Sequence, residues 1–561
     1  MVWTKGTSAG RVLMLLGLLW FGRSDLRAQT APDTYWVAFS DKNGTPYTVS
    51  EPEAFLSPRA IQRRAAQGIP IDPLDLPVDP AYVAAIEALE GVSVHNRSKW
   101  FNGVTVRVSD SAALAAIQGL PFVQEVRVRG REATIQPGHK FDELATGAGR
   151  DLDTARYGGS YRQLNMLHGE VLHSAGAKGQ GMLIGVLDSG FEGVDMSLAF
   201  EPVRQRGGIV GTYDLVDHDG EVYLDHWHGR CVLSCMAGTL DSMLIGTAPE
   251  ADYVLIRTEN IHSEFPVEED DWVAGVELAD SLGCDVLNTS LGYTTFDDST
   301  MDHTHAMLDG QTLRCSIAAN IAAQKGMIPV ISAGNKGNDD WHYISAPADA
   351  IDVLAVGAVG AAEEHAPFSS WGPTTDGRVK PDVCAMGWGT RVLNMGQDSV
   401  VAANGTSFAA PIISGLVACL WQLHPQRTAS EIMDAVRRSA SLFQHPNDSM
   451  GYGIPDFSAA SAWLAMSTVS DGPAPQSAMR VHPVPFNDVL HVQVPGIGPG
   501  TAHVALFDGQ GRVVRFTRTM VLADDRLQLE PAGLADLMPG TYVIMVEQDG
   551  ATYRQKVVKA P

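Results

Sequence analysis

Four places in the 561-residue chain hold side chains suited to moving protons or stabilising charge. Gly185-Val-Leu-Asp188-Ser-Gly190 ends an apolar strand on a carboxylate, a costly position for a charge unless a neighbour needs it. A turn-forming Asp before Ser-Gly is the plainer reading. His226-Trp-His228-Gly-Arg-Cys-Val-Leu-Ser-Cys-Met-Ala-Gly238 sets an imidazole, His228, at the start of a small-residue helix, where it could shuttle a proton. His226, two residues earlier, is expected to point elsewhere from a loop. In Asn404-Gly-Thr-Ser407-Phe-Ala-Ala-Pro411, Gly405 permits a tight turn and Ser407 falls at a helix N-terminus, where free N–H groups favour an oxyanion. Pro411 is expected in the first turn, and simple capping by Thr406 or Ser407 is the structural alternative. Val330-Ile-Ser-Ala-Gly-Asn335 offers an amide that could donate to a developing negative charge. Asp, His, Asn and Ser at four element ends outweigh any one of them alone.

The elements that must gather these groups follow from apolar patterning. Met182–Leu187, Tyr253–Ile256, Val286–Leu287, Ile328–Ile331 and Val353–Val356 are short, nearly continuous apolar runs separated by helical stretches such as Trp272–Ser281 and Cys315–Gln324. Such runs predict a parallel sheet with both faces covered, and ligands at the carboxyl ends of its strands. Before this domain, Ala31 to about Gly130 predicts a compact α+β unit, with strands at Tyr35–Phe39, Val104–Val108 and Val123–Val128. Its helices are Ser57–Gln67, basic through Arg59, Arg63 and Arg64, then Asp79–Leu89 and Ser111–Gln118. A polar stretch from Arg129 to Gly159 reads as an exposed linker. After the linker Ser470–Ser477, alternating runs at Leu490–Val494, His503–Phe507, Val513–Phe516, Tyr542–Val546 and Gln555–Val558 predict a small β-sandwich.

Composition limits the functions available. Forty basic and sixty-five acidic side chains give a formal charge of −25, which repels phosphate backbones and argues against nucleic acid as a partner. Lys5 and Arg11 precede the apolar run Val12–Phe21, and Ala28 closes a cleavage site, so residues 1–28 read as an export signal. No later segment has the uninterrupted apolar length of a membrane span, which predicts a mature form without a transmembrane segment. Six cysteines are too few for a disulfide scaffold and are expected as buried thiols or one or two disulfides. A zinc site from His226, His228, Cys231 and Cys235 would crowd four ligands into one short segment.

Asp188-Ser-Gly190, His228-Gly229 with Val232, and Gly405-Thr-Ser407-Phe-Ala-Ala-Pro411 resemble the subtilisin-like (subtilase) serine peptidases, in that family's order of Asp, His and Ser. The resemblance covers roughly 300 residues. It implies a three-layer αβα fold with a mostly parallel sheet and endopeptidase activity. Residue by residue, it implies catalytic Asp188, His228 and Ser407, an oxyanion-binding Asn335, and substrate binding by Ser290, Leu291, Gly292, Ala333 and Gly334. Arg230 departs from the small Thr or Ser usual after His-Gly, and a long cation beside the imidazole could lower its pKa or narrow the cleft. The N-terminal unit resembles a subtilase propeptide that packs on the peptidase. The last eighty or so residues resemble the Bacteroidetes type IX secretion sorting domain, through His482-Pro-Val-Pro-Phe486, Leu506-Phe-Asp-Gly-Gln-Gly-Arg512 and Leu537-Met-Pro-Gly-Thr-Tyr542.

The resulting layout is signal peptide 1–28, propeptide 29–133, linker 134–160, peptidase 161–468, linker 469–479 and β-sandwich 480–561. Expected partners are protein or peptide substrates, the chain's own propeptide and the type IX machinery, with a final location outside the cell or on its surface. No cofactor or metal is expected in the chemistry. A structural calcium could use the acidic loop Asp214-Leu-Val-Asp217-His-Asp219 with Glu221 and Asp225, and a solvated acidic face is the alternative. Three rival readings are an inactive adhesin on the same fold, a carbohydrate-binding β module at the C-terminus, and an α/β-hydrolase esterase. The esterase would need Gly-x-Ser-x-Gly, and here Ala409 fills the last place.

Overall fold

Apolar residues on both faces of the central strands call for a covering layer on each side, and the computed structural model supplies both. It describes residues 33–130, 140–141, 157–467 and, in patches, 480–560. The expected signal peptide, most of the 134–160 linker and the 469–479 linker lie outside the described residues.

The middle domain is built on a seven-stranded parallel sheet. Its order is Val383–Met386, Leu354–Val359, Ile328–Ser332, Val286–Thr289, Leu183–Asp188, Asp252–Arg257 and Ile209–Asp214. Alternation sorts the side chains between two cores. Ile184 and Val186 join the core under helices His228–Ala237 and Thr406–Leu423, whereas Leu183 and Leu187 face helices Val267–Leu282 and Arg314–Gln324. This is the expected three-layer αβα arrangement. The helix Thr406–Leu423 is long and apolar enough to cross a membrane by composition, and it is instead buried along most of its length as the spine of one core.

The N-terminal unit is an antiparallel four-stranded sheet in the order Val92–Ser98, Gly103–Val108, Thr34–Phe39, Val123–Gly130. One face packs on its own helices through Val37, Ile86, Val104 and Ile117. The sheet also meets the acidic helix Val267–Leu282 with polar groups. His95 pairs with Asp271 (2.9 Å), the Thr105 hydroxyl donates to Asp270 (2.9 Å), and Arg129 bonds Glu269 (2.8 Å) and Asp270 (3.0 Å). From the helix Pro58–Ala66, Arg63 (2.6 Å) and Arg64 (2.9 Å) converge with Lys99 (3.0 Å) on the fully buried Asp280. Burying that carboxylate is tolerable because three cations surround it, and they hold its pKa well below the ordinary range despite burial.

The C-terminal unit is a sandwich of a three-stranded and a four-stranded antiparallel sheet around Phe486, Leu490, Ile544, Val546 and Val557. Tyr542 is buried there with its hydroxyl donating to the Met538 carbonyl (2.7 Å), a core position and not the exposed platform that a sugar-binding face requires. All six cysteines are buried and unpaired, so the disulfide alternative is set aside.

Candidate active site

Each candidate residue stands where a regular element stops. The strand Leu183–Asp188 delivers Asp188, fully buried, to the carboxyl edge of the sheet. Its Oδ1 accepts from the Ser189 amide (2.8 Å) and lies 2.8 Å from His228 Nδ1. His228 is the first residue of helix His228–Ala237, and the helix can start this close because Gly229 has no side chain. A Cβ there would lie 2.3 Å from the Gly190 carbonyl oxygen.

Ser407 is the second residue of helix Thr406–Leu423, which Gly405 introduces at φ +150°. Pro411 sits inside that helix and not in its first turn, so the expectation made from sequence is corrected. Lacking an N–H, it cannot donate to the Ser407 carbonyl four residues back. The Ser290 hydroxyl makes that bond instead (2.8 Å), which ties the Ser290–Gly292 segment to the start of the helix. The Ser407 hydroxyl lies 3.3 Å from the Ser290 carbonyl oxygen. Asn335 Oδ1 accepts from the Thr406 amide (2.9 Å) and hydroxyl (3.0 Å), which fixes the plane of its carboxamide at the start of the helix.

His228, Ser407, Asn335, Ser290, Leu291, Gly292 and Gly334 line one cavity of about 550 Å³. Ala333 does not face it. That residue is fully buried, with its amide bonded to Val356 (2.9 Å) and its carbonyl to Ser345 (3.0 Å). The other candidates are brought together as expected.

Two neighbours behave differently from their sequence reading. His226 is drawn into the site. Its Nδ1 pairs with the Ser189 hydroxyl (2.8 Å) and accepts from the His228 amide (3.4 Å), and burial together with His228 lowers its pKa to about 4. Arg230 turns the other way, because two positions along a helix is over half a turn. It is buried, with its guanidinium on the carbonyls of Glu192 (3.2 Å) and Gln397 (3.1 Å) and near Asp398 (3.5 Å). It neither borders the cavity nor meets the imidazole, so neither effect raised from sequence applies.

The sequence reading also missed occupants of the site. Phe141, read as linker, lies with its ring 4.4 Å from that of His228 and 4.8 Å from that of His226. Lys140 beside it pairs with Glu259 (2.8 Å), Glu264 (2.8 Å) and Glu268. The aromatic-basic pair inside a polar stretch was the one available signal. The acidic loop also has an occupant, since Arg257 pairs with Asp214 (3.2 Å), Asp217 (2.6 Å) and Asp225 (3.4 Å). A guanidinium already fills the place where those carboxylates converge, and the loop as it stands does not offer the all-oxygen cage that calcium takes.

Residues 179–453 match the subtilase family (Peptidase S8), residues 34–142 the Bacteroidota peptidase S8 propeptide domain, and residues 480–560 the secretion system C-terminal sorting domain. The chain therefore carries a subtilase-family serine peptidase domain between a propeptide and a sorting domain that marks it for export, to the medium or the cell surface. Subtilisin E of Bacillus subtilis is 25% identical over 355 residues, 63% of this chain and 79% of that protein. Subtilisin of Bacillus pumilus is 27% identical over 281 residues, 50% and 90% of the two chains. Among solved structures, MycP1 from the ESX-1 type VII secretion system has a TM-score of 0.44 at 22% identity, covering 60% of this chain and 92% of that one. The propeptide match runs to residue 142 and so takes in Lys140 and Phe141.

Proposed function

We propose that the protein is an exported endopeptidase that cleaves peptide bonds through an acyl-enzyme on Ser407. The observation that carries this reading is the 2.8 Å contact of His228 with buried Asp188, opening on the same cavity as Ser407 and Asn335. Asp188 accepts the Nδ1 proton and so directs Nε2 of His228 outward as the base. Nε2 takes the Ser407 proton as Oγ attacks the substrate carbonyl carbon. The oxyanion is held by Asn335 Nδ2 and the Ser407 amide, and the proton then passes to the leaving amine. Water, deprotonated by the same imidazole, hydrolyses the ester and regenerates Ser407.

The Phe141 ring against His228 and the Ser407 hydroxyl turned to the Ser290 carbonyl support a self-blocked form before processing. Processing of the chain between 129 and 159 would clear the cavity, and substrates would then pair with the backbone of Ser290–Gly292 and Gly334. Export would run through the type IX machinery by way of the sorting domain. No cofactor takes part in these steps, and a stabilising calcium at the acidic loop would have to displace Arg257.

The test is Ser407→Ala. It should leave the chain folded but unprocessed, without casein cleavage and without labelling by a serine-directed phosphonate, while parental activity survives a chelator. Activity retained in the alanine variant overturns the assignment. A folded parental protein that neither self-processes nor cleaves would support the inactive-adhesin alternative.

A further inference from the structure

The peptidase cavity already holds a dipeptide of the chain itself, and the two side chains are received differently. Phe141 lies against the His228 ring at the reacting end. The preceding Lys140 pairs with Glu259 and Glu264, which line the same cavity, and with Glu268, all three supplied by the peptidase domain. Its Nζ also approaches the carbonyls of Asn260 (3.4 Å) and Ser263 (3.5 Å).

The recess is built by the domain and not by the lysine. Glu259 accepts from the Tyr293 hydroxyl (2.5 Å), and Glu268 from the amides of Phe265 (3.1 Å) and Asn260 (3.3 Å). Glu259 and Glu268 are almost wholly buried, whereas the Glu264 side chain keeps 21% of its surface exposed at the rim. Three carboxylates converging in so dry a place are unfavourable without a cation. In keeping with that, the surrounding carboxylates push the Lys140 pKa well above its ordinary value, and burial raises that of Glu268. A recess serving only to tether the propeptide could lie anywhere on the interface, but this one adjoins the reacting groups.

We infer that Glu259, Glu264 and Glu268 form a cation-selecting substrate subsite, so that the enzyme prefers polypeptides with Lys or Arg immediately before the residue that packs on His228. The inference rests on the proposed peptidase reading. On this account Lys140 is a stand-in for substrate. When the propeptide leaves, the carboxylates lose their cation, and an incoming basic side chain restores it with charge-assisted hydrogen bonds.

The test uses full-length protein allowed to self-process, with three peptides that differ only before a common Phe: Lys, norleucine (the same stem without charge) or Glu. Charge-assisted contacts of this kind predict a kcat/KM for the Lys peptide about tenfold or more above norleucine, with Glu lowest. Glu264→Gln should narrow the Lys-to-norleucine ratio, and Glu264→Lys should push it below one. Equal cleavage of all three peptides overturns the subsite and leaves the peptidase reading standing. Cleavage of none overturns the peptidase reading. Fluorescence anisotropy on protein cut within 129–159 by an added protease and freed of its propeptide, so that Lys140 no longer fills the recess, then decides the recess by itself, because equal affinity for the Lys and norleucine peptides refutes it and tighter Lys binding sustains it.

Discussion

His226 Nδ1 accepts from the His228 amide (3.4 Å) and lies 2.8 Å from the Ser189 hydroxyl, and a ring that accepts from that amide is neutral. Burial and the proximity of His228 lower its pKa to about 4, against Asp188, which pulls the other way. In the unfolded chain the same ring protonates near pH 6.5. Between those values the unfolded state binds more protons, so stability falls as pH drops from about 6.5 toward 4. A His226→Gln variant should accordingly lose less Tm between pH 7 and pH 4.5 than the parent, which thermal melts across that range will measure. The sequence placed His228 correctly because a helix start fixes its direction. It misplaced His226 because a loop residue's direction depends on which partner it meets, and Ser189 is 37 positions away. Arg230 was misjudged for a related reason, since nearness in sequence on a helix is not nearness in space.

Among the elements, the helix Val267–Leu282 bears the heaviest charge, with Glu268, Glu269, Asp270, Asp271, Glu277 and Asp280 all buried. Its amphipathic pattern is unreadable by itself, because its polar face is covered by another part of the same chain. The sequence did identify the basic helix that meets it, through Arg63 and Arg64, but not the pairing, which joins residues more than 200 positions apart. The strand Val92–Ser98 escaped notice for the same reason. Its His95, Asn96 and Ser98 look solvent-facing yet bond Asp271 and Glu277. At this interface Asp280→Asn leaves two guanidinium groups and an ammonium short of a counter-charge. In the uncut Ser407→Ala chain it should cost about 3–5 kcal/mol, the scale for breaking a buried pair. The processed enzyme, with those cations gone, should lose far less, and denaturant titrations of both forms compare the two. By contrast, the continuous apolar strands of the central sheet were legible from sequence, because burial on both faces leaves no alternation to misread.

Across the whole molecule, the order of units was readable from composition and motif, but the route of the chain between them was not. The segment after Gly130 scatters Ile135, Phe141, Leu144 and Leu152 with no helix or strand period to single one out, and Lys140 is placed by the carboxylates of another domain. The thiols offer a further view of the whole. Six cysteines lie buried in the peptidase domain without bridging one another. Burial pushes Cys284 and Cys384 up to about 12, so the thiolate needed for exchange is scarce at neutral pH. Activity and Tm should thus be the same with and without dithiothreitol, and iodoacetamide should modify the native protein only at the rate at which it unfolds. A chain sent outside the cell with no disulfide to form needs no oxidant to reach this fold, and oxygen in its surroundings should leave that fold unchanged.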